Sequence, residues 1–259
     1  MAGSNDPYRS SQMEPFDLNT VQSASAEFLT WDSEFFGFRI GRVLPGPFDA
    51  AAIDDWRRSQ HIRCLYYLAE LGDIQSIHAA EKMGFRLMDI RTTFFLPLPQ
   101  SAKINQEILV RQAKPDELSD LLSISNGVFC NGRFYQDPNF PTPLVDKMYN
   151  RWLENHFFQS NTCVWIAENE DGIHGFTSVE TTPEKIARLS LTGVHHSARR
   201  RGVAKALKSF VIDYYSTAGF TRLESITQGR NRSLININFS FGFKLVHQQL
   251  WYHGWFNDD

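Results

Sequence analysis

The chain has 259 residues, 42% of them hydrophobic and 21% charged, which is enough for one large domain or two modest domains with an ample core. Its formal net charge of -3 at pH 7 gives no general attraction to nucleic acid or to an anionic membrane, so we expect neither as a partner. The three cysteines, Cys64, Cys130 and Cys163, are far apart and form no zinc-binding spacing, so we expect reduced thiols, no metal and a cytoplasmic location.

Two domains are predicted from a short proline-containing linker, PLPQSAKINQ, that separates two segments of mixed character. Residues 21–100 form the predicted smaller N-terminal α/β domain, and residues 108–259 form the larger domain. Residues 1–20 are expected to be disordered or added by cloning, because MAGSNDPYRSSQ is polar, turn-rich and without the apolar core of a signal peptide. No apolar run approaches the roughly 18 residues that a membrane span needs.

The first half begins with the strand-like segments FRIGRVL and CLYYLAEL, which are rich in β-branched and aromatic residues. DIQSIHAAEKMGF predicts a helix that ends at Gly84, and RTTFFLPL predicts a further strand. The stretch Ala80–Leu98 is similar to Asn238–Trp255, since each has a short helix that ends at Gly-Phe before an aromatic strand. This similarity favours a related architecture for the two halves, although two glycines that cap helices independently would give the same pattern.

The second half begins with the strand EILVRQA and two helices, PDELSDLLSISNGVF and TPLVDKMYNRWLENHF. Pro115 and two acidic residues occupy the first turn of the first helix, where they are favoured. TCVWIAEN and FTSVETT predict a hairpin, ARLSLTGV a strand, and GVAKALKSFVIDYYSTAG a helix that stops at Gly219. RLESITQ, RSLININFSFGF and KLVHQQLWYHGWF then predict a strand, a short helix and a closing strand. This mixture of elements predicts an α/β or α+β fold class.

The stretch from Arg188 to Lys208 holds six lysines or arginines and no acidic residue, although the chain as a whole is slightly acidic. Within it, Arg199–Arg201 stand beside Gly202, where the predicted strand gives way to the helix. The first turn of a helix carries unpaired N–H groups and the positive end of the helix dipole, so anions bind there. Glycine lets a ligand approach the backbone, and arginine bonds phosphate with two parallel hydrogen bonds. The sequence therefore predicts a phosphate or pyrophosphate ligand, and the alternative is a solvated basic helix start.

The pattern Arg-x-x-Gly-x-Ala directly after an apolar strand resembles the acetyl-CoA-binding motif of the GCN5-related N-acetyltransferase (GNAT) family. The resemblance covers residues 108–255, because a strand, an Asn and a helix ending in Gly-Phe follow the motif in the family's order. It implies a central mixed, largely antiparallel sheet flanked by helices, with acetyl-CoA as cosubstrate. It also implies contacts to the pantetheine arm from Thr192, Gly193 and Val194, contacts to the pyrophosphate from Arg199, Arg200, Arg201, Gly202, Val203 and Ala204, and a further cofactor contact from Asn231.

The family often places a tyrosine, as general acid toward the departing CoA thiolate, at the position that Asn238 occupies here. An asparagine cannot give up its amide proton as an acid, although it forms hydrogen bonds. A thiolate whose conjugate thiol has a pKa near ~8.5 leaves without much help, so Tyr252, His253 or water are substitutes. The acceptor amine must be neutral to attack, and Glu180, His195, His196 or a proton-relaying water molecule are candidates for removing its proton.

Several short motifs are similar to those of the bacterial dTDP-fucosamine acetyltransferases, which acetylate the 4-amino group of a dTDP-linked 4-amino-4,6-dideoxyhexose. These motifs are Trp31-Asp32-Ser33, Phe35-Phe36-Gly37, Arg133-Phe134, Asp137, Trp152 and Tyr252-His253-Gly254-Trp255. The similarity implies that Arg133, Tyr135 and Asp137 bind the substrate, and a loop of this composition could clamp a diphosphate or stack on a ring. The alternative is a structural loop in which Phe134 fills the core.

Other functions stay open at this point. Acetyl transfer to a different acceptor, such as an amino acid, a polyamine, an antibiotic or a protein N-terminus, would use the same motif. A catalytically silent protein that binds CoA is also compatible with Asn238. A nucleic-acid role would need a wide basic face with exposed aromatic residues, and the net charge argues against it. The sequence leaves a homodimer open.

Overall fold

The computed structural model of the chain describes residues 25–100 and 108–257, so the predicted segment 1–20 and much of the linker lie outside the described residues. The described chain forms eight α-helices and ten β-strands, and it divides into two compact units. The first unit comprises the described residues up to Ile90 and those from Gln248 onward, and the second unit is Arg91–His247. None of the helices in the described part of the chain combines the length and apolar character that a membrane crossing requires.

The first unit has three helices and a small sheet. The bounds of these elements are β1 Ala26–Phe28, α1 Thr30–Phe36, β2 Ile40–Val43, α2 Ala50–Ser59, β3 Cys64–Glu70 and α3 Ile74–Lys82. The last strand of the chain, β10, is Lys244–Trp255, and its part from Gln248 onward also belongs to this unit. The strand order is β1-β2-β3-β10, with β2 parallel to β3 and the other pairs antiparallel. Asp49 and Asp73 precede α2 and α3, and each carboxylate accepts from an N–H in the first turn, at 3.1 Å. These aspartates explain where the two helices begin.

The C-terminal strand belongs to the first unit. Seven residues of β10 pair with seven of β3, and Tyr67 stands opposite Tyr252 in the register. The chain therefore enters the second unit within β4, Arg86–Pro97, and returns to the first unit at its end. A return of this kind depends on a long-range strand pairing that no local sequence pattern indicates. Our domain limits of 21–100 and 108–259 do not include this return of the C-terminal strand, and they stay predictions.

The second unit carries the larger sheet, with the strand order β4-β9-β8-β7-β6-β5. β8 is parallel to β9, and the other pairs are antiparallel, so the expectation of a mixed, largely antiparallel sheet is confirmed. Helices α4, α6 and α7 pack on its strands. The element bounds are β5 Leu109–Gln112, α4 Leu118–Ser125, α5 Arg133–Gln136, α6 Thr142–Phe158, β6 Thr162–Asn169, β7 Gly172–Thr181, β8 Ile186–Val194, α7 Val203–Thr217, β9 Arg222–Gln228 and α8 Arg232–Ser240.

Helix α7 shows how the sequence pattern produces packing. Val203, Leu207, Val211 and Tyr215 recur at steps of four residues and are buried against a core formed with the sheet. Residues on alternate positions of β8, such as Ala187 and Leu189, belong to the same core. The interior of the second unit therefore fixes α7, and with it the loop that connects β8 to α7.

The repeated helix-Gly-Phe-strand pattern is confirmed in each unit. Gly84 follows α3 with φ 91°, and Gly242 follows α8 with φ 78°, so both glycines adopt the left-handed conformation that ends a helix. The structure also contains two helices that our reading of the first half did not include, α1 and α2. Helix α1 begins at Thr30 and is only seven residues long, which is too short for a clear 3.6-residue periodicity.

Candidate active site

Strands β8 and β9 run parallel at first and then separate. Their pairing joins Ile186–Leu189 to Arg222–Ser225, and beyond it β8 continues for five residues and β9 for three. The opening between residues 190–194 of β8 and residues 226–228 of β9 is named the fork. Because β9 does not pair with this part of β8, backbone N–H and C=O groups of β8 face the fork and can bond an extended ligand.

The loop after β8 places positive charge next to the fork. Arg199, Arg200 and Arg201 are all exposed, and the backbone of Arg200 is in the left-handed region, with φ 63°. Gly202 follows with φ 88° and occupies the N-cap position of α7. Because glycine has no side chain, no side chain of the N-cap residue bonds the first turn of this helix. The N–H of Ala206 donates to the carbonyl of Gly202 at 2.9 Å, and the N–H groups before it in the first turn lack intrahelical partners. This combination suits an anion.

The residues that the sequence singled out for acetyl-CoA are thus brought to two adjoining places. Thr192, Gly193 and Val194 lie on the part of β8 that borders the fork, and residues 199–204 form the loop and the first turn of α7. Asn231 follows β9 and caps α8, since its side-chain oxygen accepts from the N–H of Leu234 at 3.2 Å. These placements leave the ligand roles of the residues as predictions.

Gly193 is required by close packing rather than by an unusual backbone angle. A Cβ atom at this position would lie 2.7 Å from the ring of Phe176, which is fully buried on β7. A Cβ at Gly175 on β7 would lie 2.7 Å from the carbonyl oxygen of Gly193. The two glycines therefore let β7 and β8 keep their register beside the fork.

Asn238 is wholly buried and is held by a lysine that our sequence analysis missed. The ammonium of Lys208, on α7, donates to the side-chain oxygen of Asn238, lies 3.4 Å from the Ser225 hydroxyl and stands 4.7 Å over the Phe243 ring. Burial lowers the pKa of Lys208 to about 7. The helical spacing in the sequence could have indicated that Lys208 is buried. It stands three residues before Val211 and four before Ile212, so it lies on the buried face of α7.

The candidates for acid and base chemistry lie in different units. Glu180 stands on β7, where Asn161 donates to its carboxylate at 3.4 Å, and His195 follows β8 with Nδ1 2.7 Å from the Ser197 hydroxyl. Tyr252 lies in the core of the first unit, 2% exposed, and its hydroxyl donates to Glu81 at 2.9 Å. Burial, followed by this hydrogen bond, raises the pKa of Tyr252 to about 12.

The residues expected to bind the acceptor have partners within the chain. The Tyr135 hydroxyl donates to Asp146, and burial raises the pKa of this tyrosine well above its usual value. The buried Asp137 accepts from the backbone and the side chain of Asn139, at 3.0 and 2.9 Å. The guanidinium of Arg133 lies 4.2 Å over the ring of Phe134, which is itself buried. These contacts order the loop between α4 and α6.

His156 contacts the edge of the fork through a serine. One ring nitrogen of this histidine, Nδ1, lies 2.8 Å from the hydroxyl of Ser178, and the same hydroxyl oxygen accepts from the N–H of Leu191 at 3.0 Å. Leu191 belongs to a bulge, since two residues of β8 there oppose Ser178 alone on β7. No local motif marks His156 in the sequence, because its partner is 22 residues away.

We expect the free energy of unfolding to fall between pH 6.5 and pH 4 because of His156. Burial lowers its pKa from 6.5 to about 4, so below pH 6.5 the unfolded chain binds a proton that the folded chain does not. The contribution of the neutral His156 to the free energy of unfolding is complete above pH 6.5 and is lost as the pH falls toward 4. Urea unfolding of His156→Gln should show a flatter dependence on pH than the parent chain. His78→Gln, at an exposed position of α3, is the control and should keep the parent profile.

Among the described residues, no group of three or more His, Cys, Asp or Glu side chains is arranged to hold a metal ion. The fork is bordered by backbone groups of β8, and Arg199–Arg201 and His195 lie on the loop that follows this strand. An extended ligand with an anionic end and a reactive group at the other end would fit this order of features along β8.

Comparison with known proteins agrees with this geometry. A family model described as the Acetyltransferase (GNAT) family matches residues 132–243. The dTDP-fucosamine acetyltransferase of Escherichia coli O6:H1 is 22% identical over 235 residues, which cover 88% of this chain and 97% of that protein. Human N-acetyltransferase 8B is 26% identical over 107 residues, which cover 39% of this chain and 47% of that protein.

A solved structure shares the fold. The GCN5-related N-acetyltransferase from Sphaerobacter thermophilus superposes with a TM-score of 0.63 and 14% identity, covering 89% of this chain and 76% of that one. The family match lies within the second unit and includes the fork, the loop that holds Arg199–Arg201 and helix α7. Over residues 132–243 the chain is therefore similar to the acetyltransferases of the GNAT family.

Proposed function

We propose that the second unit binds acetyl-CoA along the fork and transfers its acetyl group to the primary amine of a nucleotide-linked amino sugar. The observation that carries the proposal is the position of the uncapped start of α7, with three exposed arginines, directly beside the unpaired edge of β8. Family members use acetyl-CoA, and this edge offers the backbone groups that an amide-containing arm can pair with.

In this proposal the pyrophosphate of acetyl-CoA binds residues 199–204. The N–H groups of the first turn and the arginines supply hydrogen bonds and positive charge to it. The pantetheine arm then follows Thr192, Gly193 and Val194 into the fork, as an added strand would. Asn231, at the start of α8, is a further candidate contact. The cosubstrate is thus aligned by its unreactive parts, which orients the thioester for attack.

The acceptor amine attacks the thioester carbonyl, the C–N bond forms, and the C–S bond breaks with its electron pair on sulfur. The nitrogen must lose a proton, and Glu180, His195 or a water molecule near the fork are the candidate acceptors. His195 is attached directly to the last residue of β8, whereas Glu180 lies on the neighbouring strand. Tyr252 has its hydroxyl engaged with Glu81 and is a weaker candidate for this site.

Support for a dTDP-amino sugar as the acceptor comes from similarity. The E. coli relative named dTDP-fucosamine acetyltransferase aligns over nearly its whole length, and the alignment spans most of this chain. Arg133, Tyr135 and Asp137 enter the proposal as the residues that shape the acceptor side. Since Tyr135 and Asp137 already bond within the chain, we propose that their part is to hold the loop while Arg133 contributes charge.

A thiol-release assay with acetyl-CoA across dTDP- and UDP-linked amino sugars, free amino sugars, polyamines and an N-terminal peptide tests the proposal. We expect turnover with dTDP-linked 4-amino sugars at a kcat/KM at least ~100-fold above that of simple amines. Equal turnover of simple amines would contradict a nucleotide sugar as the acceptor, although the proposal that the protein transfers acetyl groups would still stand. Binding of acetyl-CoA without thiol release on any acceptor would contradict catalysis and favour a CoA-binding protein, in which Asn238 replaces an acid.

Arg200→Gln and Arg201→Gln together should raise the KM for acetyl-CoA roughly tenfold or more, because hydrogen bonds to a charged group are worth about 1.5–3 kcal/mol. The dependence of KM on salt should also become shallower, since exposed charges are screened. Steady-state kinetics at several ionic strengths measure both effects. Arg86→Gln, at an exposed position at the start of β4, is the control and should change neither.

A further inference from the structure

Lys208 is a buried lysine whose ammonium has no anion beside it in the part of the chain that the structure describes. It is 4% exposed on α7, and the elements around its ammonium present Ser225 from β9, Asn238 from α8 and Phe243 before β10, all of them uncharged. Among the described residues no carboxylate pairs with this ammonium. A buried charge without a counter-charge is unfavourable, so lysines at structural positions are rarely placed in this way.

The cluster of Lys208, Asn238 and Ser225 has more hydrogen-bond donors than acceptors. The ammonium and the amide of Asn238 carry N–H donors, and the described acceptors near the ammonium are one amide oxygen and one hydroxyl. The amide nitrogen of Asn238 is buried and has no partner among the described residues. The orientation of this amide is fixed, because its oxygen accepts from Lys208. The cluster therefore suits a ligand atom that accepts hydrogen bonds or carries negative charge.

The cluster lies at the closed end of the fork. Ser225 is the last residue of β9 that pairs with β8, opposite Leu189. From Val194 to Leu189 the strand spans five steps, about 17 Å at the usual rise per residue. The pantetheine arm is about as long as four extended residues, ~14 Å. If the pyrophosphate binds residues 199–204, as in the proposed function, and the arm enters the fork beside Val194, the sulfur of CoA lies about four residues along β8. This places it near Ser190, next to the paired residues Leu189 and Ser225.

We propose that Lys208 is the catalytic acid that receives the CoA thiolate, and that Asn238 positions its ammonium. As the C–S bond of the tetrahedral intermediate breaks, the electron pair goes to sulfur, and one N–H proton of Lys208 passes to it. Lysine is left neutral, and water returns its proton. The proton from the acceptor nitrogen leaves separately by the base or water described above, so acetyl-CoA and amine give amide and free CoA.

The environment of Lys208 favours this step. A lysine with a pKa of about 7 is a much stronger acid than an ordinary lysine, and a general acid is most effective when its pKa lies close to the pH of the reaction. Burial alone accounts for this lowering. The protonated form is the active one, so kcat should fall as the pH rises through the pKa of Lys208.

The test compares the binding of CoA and desulfo-CoA, which lacks the sulfur, to the parent chain and to Lys208→Met by calorimetry at pH 6.5, below the pKa of Lys208. We expect the parent chain to prefer CoA about tenfold, equivalent to one hydrogen bond to a charged group, and Lys208→Met to show no preference. The thiolate absorbance of bound CoA should appear at lower pH in the parent chain than in the variant. A preference that Lys208→Met retains would overturn the inference and leave the proposed function standing.

The inference rests on the proposed function, and the two fail differently. No binding of either ligand to the parent chain would overturn both.

The kcat of Lys208→Met should fall about 100-fold, while methionine, which is apolar and similar in length, should preserve the fold. Asn238→Asp is a second variant: a carboxylate beside the ammonium raises the lysine pKa, so the fall in kcat should move to higher pH. An unmoved pH profile in folded Asn238→Asp would contradict the role of Lys208.

Discussion

Replacing Gly202 with valine should weaken acetyl-CoA binding by roughly 10- to 100-fold, equivalent to the loss of one hydrogen bond to a charged group, about 1.5–3 kcal/mol. Gly202 adopts φ 88°, which a β-branched residue strongly disfavours, so valine shifts the start of α7. The added side chain also stands where the ligand would approach the first-turn N–H groups. Calorimetry with acetyl-CoA measures the loss of affinity, and thermal unfolding measures any loss of stability.

Gly219→Val separates backbone strain from ligand contact. Gly219 has φ 76° and lies two residues after the last residue of α7, Thr217, so valine there imposes a similar strain at the other end of the same helix, away from Arg199–Arg201. We expect the two variants to lose similar stability, while only Gly202→Val loses affinity. Equal loss of affinity in both variants, or retained affinity in Gly202→Val, would contradict the placement of the pyrophosphate.

Gly193→Ala should lower kcat/KM by about 100-fold, because its Cβ would lie 2.7 Å from the Phe176 ring and β8 must shift to relieve the contact. A displacement of about 1 Å in a residue that positions a substrate is enough for a loss of this size. The free energy of unfolding should also fall by about 1–3 kcal/mol, the usual effect of overpacking a core. Steady-state kinetics and urea unfolding measure the two effects.

A smaller residue at position 176 should compensate. Phe176→Leu alone loses stability, since the ring is fully buried, but in the Gly193→Ala background it removes the collision. We expect the double variant to recover much of the kcat/KM lost in Gly193→Ala, with a coupling free energy of about 1 kcal/mol or more. Additive losses in the two variants would show that the ring is not what demands glycine at 193.

The sequence predicted the parts of the site that are continuous in the chain. The order of an apolar strand, three arginines, a glycine and an amphipathic helix is local, and the structure has β8, the loop and α7 at those positions. The fork was beyond a reading of the residues by themselves, because it depends on where the pairing of β8 with β9 stops, at Leu189 and Ser225. The resemblance to a family supplied the expectation that this strand borders the cofactor.

Contacts between distant residues explain what the sequence analysis missed. Lys208 looked like one more charge in a basic stretch, and only folding brings it to Asn238, 30 residues later. The bond between His156 and Ser178 joins a helix to a strand in the same way. Tyr252 was a plausible acid from its place in an aromatic motif, whereas β10 carries it into the first unit and gives its hydroxyl to Glu81.

The return of β10 to β3 bears on how the protein is made. A ribosome delivers Cys64–Glu70 long before Gln249–Trp255, so the small sheet cannot be completed until this late segment has emerged. The second unit has all of its larger sheet available earlier, and we expect it to reach a native-like form first. Until the last strand arrives, the edge of β3 stays open to pairing with other chains, which makes this interval the one in which nascent molecules most need a chaperone.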